Sequence, residues 1–311
     1  MTNALQRRLG LLAAFLIGSL VALQSHINGE LGADLDDGVV AAVVSFGGGL
    51  VVLTIAVLCS KTIRAGLRDV RGAVHIGKLR PWHCVGGVCG AFLVACQGIT
   101  VGTIGVALFT VAVVGGQIAS SLLVDRAGIG PAGVSPVTTT RLIGAGLGIV
   151  AVIVAMSGRL NGGLGAVGLA ILPALAGIGL AWQQAVNGRV GAVGGPFAAS
   201  WINFAVGTVV LVIVGAVAVL FKGWPTGWPT DPRLYLGGLL GIGFIAGAAV
   251  VVRWIGVLLL GMASVAGQLV TAVALDALAP SGGELTVTVL IGCALLLVAV
   301  GIAASQPVRE V

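Results

Sequence analysis

Charge is what this sequence has least of. Asp, Glu, Lys and Arg make up 8% of its 311 residues, against roughly 25% in soluble domains. Length alone would allow two soluble domains, but so few charges could not cover their surfaces. Hydrophobic residues reach 58% and mean hydropathy is +1.15, so most of the surface must face lipid. Chemistry-bearing residues are also scarce. The five cysteines, Cys59, Cys84, Cys89, Cys96 and Cys293, form no CxxC pair. They read as small buried hydrophobes rather than disulfides or metal ligands.

The three histidines all fall within the first 83 residues, so no Ser/His/Asp arrangement stands out. His83 and Cys84 are adjacent but lack further ligands at zinc-site spacing. Gly241-x-Gly243-x-x-Ala246 imitates part of a dinucleotide fingerprint, yet it sits in an apolar run with no strand before it. Packing glycines explain it. The expectation is therefore a protein that is no enzyme and takes no metal or cofactor.

What the chain does have is long apolar runs and 52 glycines without a collagen period. Small residues let membrane helices approach closely. Runs near the 20 residues a hydrocarbon core needs predict ten helices, at about 9–27, 38–58, 82–101, 103–124, 139–158, 164–186, 196–221, 234–252, 254–277 and 285–305. The third and fourth, and the eighth and ninth, are joined by very tight turns. Arg7-Arg8 before an apolar core could pass for a signal peptide, but the repeat described below makes that segment the first helix.

Lysine and arginine set the orientation. With the N-terminus inside, Arg7, Arg8, Lys61, Arg64, Arg68, Arg71, Lys78, Arg80, Arg126, Arg141, Arg189, Arg253 and Arg309 fall on the cytoplasmic side. Only Arg159, Lys222 and Arg233 fall outside, where Glu30, Asp34, Asp36 and Asp37 gather. The net charge of +6 is thus a topology signal for a cell (plasma or inner) membrane protein with both termini cytoplasmic, and does not point to nucleic acid. Between 61 and 80 the basic residues recur at three- and four-residue steps beside a stripe of Ile63, Leu67, Val70 and Val74. This amphipathic helix is expected on the anionic cytoplasmic leaflet.

The chain repeats itself. Gln24-Ser25-His26-Ile27-Asn28-Gly29-Glu30-Leu31-Gly32 is echoed by Gln183-Gln184-Ala185-Val186-Asn187-Gly188-Arg189-Val190-Gly191. Ser45-Phe46 with Gly49 matches Asn203-Phe204 with Gly207. Gly86-Gly87-x-x-Gly90 matches Gly237-Gly238-x-x-Gly241, and Gly116-Gln117, Ser120 and Asp125 match Gly267-Gln268, Thr271 and Asp276. Each unit, 1–158 and 164–305, holds an odd number of helices, so the second enters the membrane upside down. The expected fold is an all-α polytopic membrane protein of ten spans in two inverted five-helix repeats, the arrangement of secondary transporters.

Ile27-Asn28-x-x-Leu31-Gly32, Ser45-Phe46-x-x-Gly49 and Gly116-Gln117-x-x-x-Ser121-Leu122-x-x-Asp125 resemble the YdcZ-type branch of the drug/metabolite transporter superfamily. The resemblance implies a ten-helix fold, cytoplasmic termini and an exporter-like role, and no particular substrate. In the second half Arg189 and Val190 stand for Glu30 and Leu31, Asn203 stands for Ser45, and Asp276 lacks a following Arg.

Intramembrane polar side chains normally face a bundle interior or cavity. The candidates for substrate binding or gating are Gln24, Asn28, Ser45, Gln117, Ser121, Gln183, Asn187, Asn203, Gln268 and Thr271. They are expected as two polar shells, one outer and one inner, with Gln24 paired to Gln268 and Gln183 to Gln117. The bland alternative is helix–helix glue worth about 1 kcal/mol per hydrogen bond. No Asp or Glu lies near the centre of a predicted helix, which argues against a bare cationic substrate. Proton coupling would fall to His26, Asp125 or Asp276, although Arg126 beside Asp125 favours an ion pair, and His26 reads more simply as a helix-end hydrogen bonder. The expectation is a secondary transporter exporting a small neutral or zwitterionic metabolite. Its competitor is a non-transporting scaffold or sensor acting through 61–80. GxxxG patterns such as Gly144 with Gly148 permit a homodimer and serve internal packing equally well.

Overall fold

The computed structural model describes residues 2–131, 133–134, 137–157, 163–278 and 285–304. These residues form ten α-helices and two short 3-10 turns, with no strand among them. In chain order the helices are α1 Thr2–Asp34, α2 Gly38–Cys59, α3 Lys61–His75, α4 Gly87–Ile104, α5 Val106–Arg126, α6 Thr139–Ser157, α7 Gly163–Gly194, α8 Pro196–Lys222, α9 Gly237–Leu278 and α10 Val287–Ala304. Seven described helical stretches are long and apolar enough to cross a membrane. The protein is an all-α polytopic membrane protein, and large side chains such as Ile55, Leu58, Ile213 and Leu220 stand exposed on its outer faces.

Helix boundaries follow local chemistry. Asp37 caps α2 by accepting from the Val39 and Val40 N–H groups at 2.9 and 3.0 Å. At the corresponding corner of the second half, Gly195 with φ of 82° turns the chain and Pro196 opens α8. Between α4 and α5 the break is a single residue, Gly105, whose φ of 80° excludes most side chains.

The counterpart of that break is not a loop. Two spans, 234–252 and 254–277, are expected there, and a single helical element runs from Gly237 to Leu278. It is not straight. A methyl group on Gly237 would touch Asn28, while Thr271 donates to Ser19, both on α1. A straight helix would separate Gly237 from Thr271 by about 51 Å, whereas Ser19 and Asn28 are only about 14 Å apart along α1. The axis must therefore bend sharply, giving α9 two arms that both lie on α1.

The amphipathic segment between 61 and 80 forms α3. Gly66, Val70 and Ala73 on its apolar face are buried, packed with Val190 and Ala199 against the end of α7 and the start of α8. Much of the apolar stripe therefore meets protein, while Lys61, Arg68, Arg71 and Lys78 remain exposed. Arg64 instead folds back and donates to the Val57 carbonyl at 3.0 Å and to the Leu58 carbonyl, covering the open end of α2.

The two halves are joined through glycines. On α1, a methyl group on Gly18 would lie 1.9 Å from the Ser264 carbonyl oxygen, and one on Gly267 would lie 2.0 Å from that of Phe15. The same crossing recurs between α7 and α5, where methyl groups on Gly177 and Gly116 would lie 2.0 and 2.1 Å from the carbonyl oxygens of Val113 and Ala174. A hydroxyl bond accompanies each crossing: Thr271 to Ser19 at 2.8 Å, and Ser120 to the Ile178 carbonyl at 3.0 Å. The first helix of each half thus packs on the fourth helix of the other. Gly116→Ala and Gly267→Ala should each lower the melting temperature of the purified protein, since overpacking costs about 1–3 kcal/mol. Gly146→Ala, on an exposed face with open space around it, should not. Equal melting of all three variants would contradict this packing.

Candidate functional site

Of the amides named from sequence, Gln24, Asn28, Gln183, Asn187 and Asn203 gather in two buried clusters. In the first, Asn28 Nδ2 donates to Gln97 Oε1 at 2.7 Å, and Gln97 Nε2 donates to Ser25 Oγ at 3.0 Å. Ser45 from α2 and the backbone of Gly237 from α9 close around Asn28, where a methyl group on Gly237 would lie 2.2 Å from Asn28 Oδ1 and 2.7 Å from Ser45 Oγ. One turn along each helix, Gln24 faces Gly241. In the second cluster Gln183 Nε2 and Asn187 Nδ2 both donate to Asn203 Oδ1, each at 2.9 Å. Here Gly86 and Gly90 face Asn187 and Gln183.

These are two versions of one construction. Gln24 and Asn28 meet Gly241 and Gly237, while Gln183 and Asn187 meet Gly90 and Gly86. Each cluster therefore takes its amides from one half and its glycines from the other. The clusters sit toward opposite ends of α4, one at Gln97 and one at Gly86 to Gly90. From Gly90 to Gln97 is about 10 Å along the axis.

Between them lies an aromatic pair. Phe46 and Phe204 stack with centroids 4.8 Å apart and are 3% and 4% exposed, a separation at which offset rings attract. Each ring covers a glycine of the other's helix, Phe46 on Gly207 and Phe204 on Gly49. Phe46 also abuts Gly90 and Phe204 abuts Gly241. The pair separates one amide cluster from the other.

The expected pairings are not formed. Gln117 Nε2 donates to Gln184 Oε1, the neighbour of the predicted partner, at 2.9 Å. Gln268 Nε2 reaches Ser264 Oγ on its own helix, at 3.5 Å. Glutamine's reach decides this, because Gly267 presses on Phe15, more than two turns of α1 away from Gln24. Ser121 bonds the Ile118 carbonyl of its own helix at 2.8 Å. Of the substrate-binding or gating candidates on α5 and the second arm of α9, Gln117 and Thr271 bond a side chain of another helix, and Ser121 and Gln268 stay on their own.

The titratable candidates hold structural positions. Asp276 Oδ1 and Oδ2 accept from the Val106 and Ala107 N–H groups at 2.8 and 2.7 Å. A carboxylate of α9 thus caps the free end of α5 beside Gly105, where opposite charge and two orphan donors both favour it. Asp125 forms its ion pair with Arg141 at the start of α6, not with adjacent Arg126. His26 Nε2 lies 3.2 Å from Glu30 Oε1 one turn on. Arg189, where the first half has Glu30, donates to the Gly128 carbonyl at 2.6 Å and so ties α7 to the loop after α5.

Sequence reasoning missed Gln97. It is the only amide in the predicted span 82–101, is 1% exposed and holds Asn28. Its position in the second half is occupied by Ala248, so a search guided by the repeat passes over it. Two of the tryptophans pack against other parts of the bundle: Trp201 donates to Thr54 at 3.1 Å, and Trp182 stacks on Trp82 with ring centroids 6.3 Å apart. The side chain of Trp254 lies outside the described residues. Asp276→Ala should destabilise the protein by about 1–3 kcal/mol, read as a lower melting temperature, and Asp276→Asn should do so less. Unchanged melting of the alanine variant would show that the cap contributes nothing.

Comparison with known proteins agrees with this architecture. A solved structure titled "Crystal structure of protein" superposes with a TM-score of 0.55 at 19% identity, covering 97% of this chain and 96% of its own, which shows a shared fold. Among curated proteins none matches the chain. The family described as "Putative inner membrane exporter, YdcZ" matches twice, over residues 9–154 and again over residues 168–303. That description is of a transporter rather than an enzyme, and with most of its length matched, the chain belongs to the YdcZ family of the drug/metabolite transporters.

Proposed function

We propose that the protein exports a small neutral or zwitterionic organic molecule by alternating access, with units 1–158 and 164–305 rocking against each other. The observation that carries this reading is the duplicated cluster. Glue alone would not require amides of each half to close on glycines of the other, at two places related by the repeat. Orientation by positive charge puts Gln24, Asn28, Ser45 and Gln97 toward the outside and Gln183, Asn187 and Asn203 toward the cytoplasm. Parting α1 from the first arm of α9 would open the first cluster outward. Parting α7 from α4 would open the second inward.

The stacked Phe46 and Phe204 would then divide the two routes and receive the apolar part of the passenger. No carboxylate belongs to either cluster, which suits a passenger without net positive charge. A proton could drive the cycle through Asp276, since its protonation would weaken the cap on α5 and loosen the contact between halves. The other two titratable candidates are already engaged, Asp125 by Arg141 and His26 by Glu30, which makes them weaker carriers. The basic face of α3 would rest against anionic headgroups, holding the packed end of α7 at the cytoplasmic surface.

Flux into proteoliposomes tests the reading. Asn28→Ala and Asn203→Ala should each cut transport by about tenfold or more at unchanged expression, because each removes the centre of a hydrogen-bonded cluster. Gln117→Leu and Gln268→Leu, which lie outside the two clusters, should cut it less. Undiminished flux in both asparagine variants would sink the proposal.

A further inference from the structure

Hydrogen-bond polarity fixes which kind of group these clusters can receive. Ser25 Oγ donates its proton to the Val21 carbonyl at 2.9 Å, so toward Gln97 it can only accept. Gln97 must therefore present its NH2 to Ser25 and its carbonyl to Asn28. Asn28 in turn must present its NH2 to Gln97, which leaves Oδ1 pointing away. Among the described residues that oxygen has no partner, and neither has Ser45 Oγ beside it. Asn28 is 0% and Ser45 2% exposed, so solvent does not serve them. In the second cluster both amide NH2 groups converge on Asn203, and Gln183 Oε1 is left unpartnered.

Every unpartnered buried atom of the two clusters is therefore an oxygen, and the two amide oxygens can only accept. Leaving such groups unmet costs free energy in any folded protein. It is worse in a bundle that spans lipid. The fourth buried atom without a partner, Thr208 Oγ1, belongs to neither cluster. Symmetry strengthens the point, since Gln24 and Asn28 repeat as Gln183 and Asn187, and each pair contributes to a cluster with a free acceptor.

We propose that Asn28 Oδ1 and Ser45 Oγ form a recognition site for an uncharged N–H or O–H donor, such as a primary amide, carried on a small apolar body. This rests on the transport reading above and names its substrate class. A bare ammonium would be stranded there without a counter-charge, and a carboxylate would face Asn28 Oδ1, which can only accept. Gly237 lets both oxygens share one patch of backbone, and it covers them while α1 and α9 are closed. Binding occurs when that first arm of α9 moves off α1. The nearby Phe204, which abuts Gly241, receives the apolar body. Gln183 Oε1 offers the same chemistry at the second cluster, so a donor released from one finds an acceptor at the other.

Four probes of one shape separate the possibilities: benzamide, N,N-dimethylbenzamide, benzylammonium and benzoate. Added to the purified full-length protein, benzamide should raise the melting temperature in a saturable way, and its dimethyl analogue, which lacks N–H groups, should not. Ser45→Ala should melt no lower than wild type without ligand, because its hydroxyl bonds nothing, yet need at least about tenfold more benzamide for the same rise. Equal stabilisation by the dimethyl compound would overturn the inference. So would preference for benzylammonium or benzoate, no response to any probe, or unchanged benzamide dependence in Ser45→Ala. Flux of the same four probes is a separate readout. Donor-selective binding without any flux supports the site and removes the transport reading, whereas flux without donor preference overturns the site alone.

Discussion

Backbone-to-backbone contact between the halves is the constraint on which the rest of this structure depends. Inside a bilayer there is no hydrophobic drive to hold helices together, so van der Waals contact must do so. Gly18, Gly267, Gly116 and Gly177 each leave space where even one methyl group would strike a carbonyl of the other half. These crossings bring α1 to α9 and α7 to α5. Once they are made, the amides one to three turns further along α1 and α7 have no choice but to face Gly237, Gly241, Gly86 and Gly90.

The same exchange of partners explains how a polar site can exist in so apolar a chain. Asn28 and Asn187 are tolerated because neighbouring helices supply Gln97 and Asn203. The two halves solve the problem differently: a bridging glutamine and a serine in one, a shared asparagine in the other. That asymmetry gives the two clusters unequal hydrogen-bonding capacity, which a carrier that moves its cargo in one preferred direction can use. Asp276 adds a polar clasp of the same kind, tying α9 of one half to the first turn of α5 in the other.

Much of this was legible in the sequence. Apolar run length gave nearly every span, and the offset between repeated motifs gave the exchange of partners in outline. Gln24, Asn28, Ser45, Gln183, Asn187 and Asn203 all fall in the two clusters. The specific pairings of Gln24 with Gln268 and Gln183 with Gln117 were wrong because sharing a membrane half does not set the height of two residues on crossing helices. Gln97 was hidden by having no counterpart in the second half. Asp276 as a helix cap was hidden too, since its partners are backbone N–H groups 170 and 169 positions away, and backbone leaves no mark in sequence. The absence of a helical break between 252 and 254 could not be read from composition, because Gly256 stands where Gly105 does.

The central claim is that the two amide clusters open in turn, to opposite sides of the membrane. Thiol labelling measures this directly, using single cysteines at positions 24 and 183 in a chain whose five native cysteines are replaced. With oriented vesicles and a membrane-impermeant reagent, position 24 should label from the outside and position 183 from the cytoplasmic side. Conditions that raise one rate should lower the other. Rates that rise and fall together, or labelling of both positions from one side, would contradict the account.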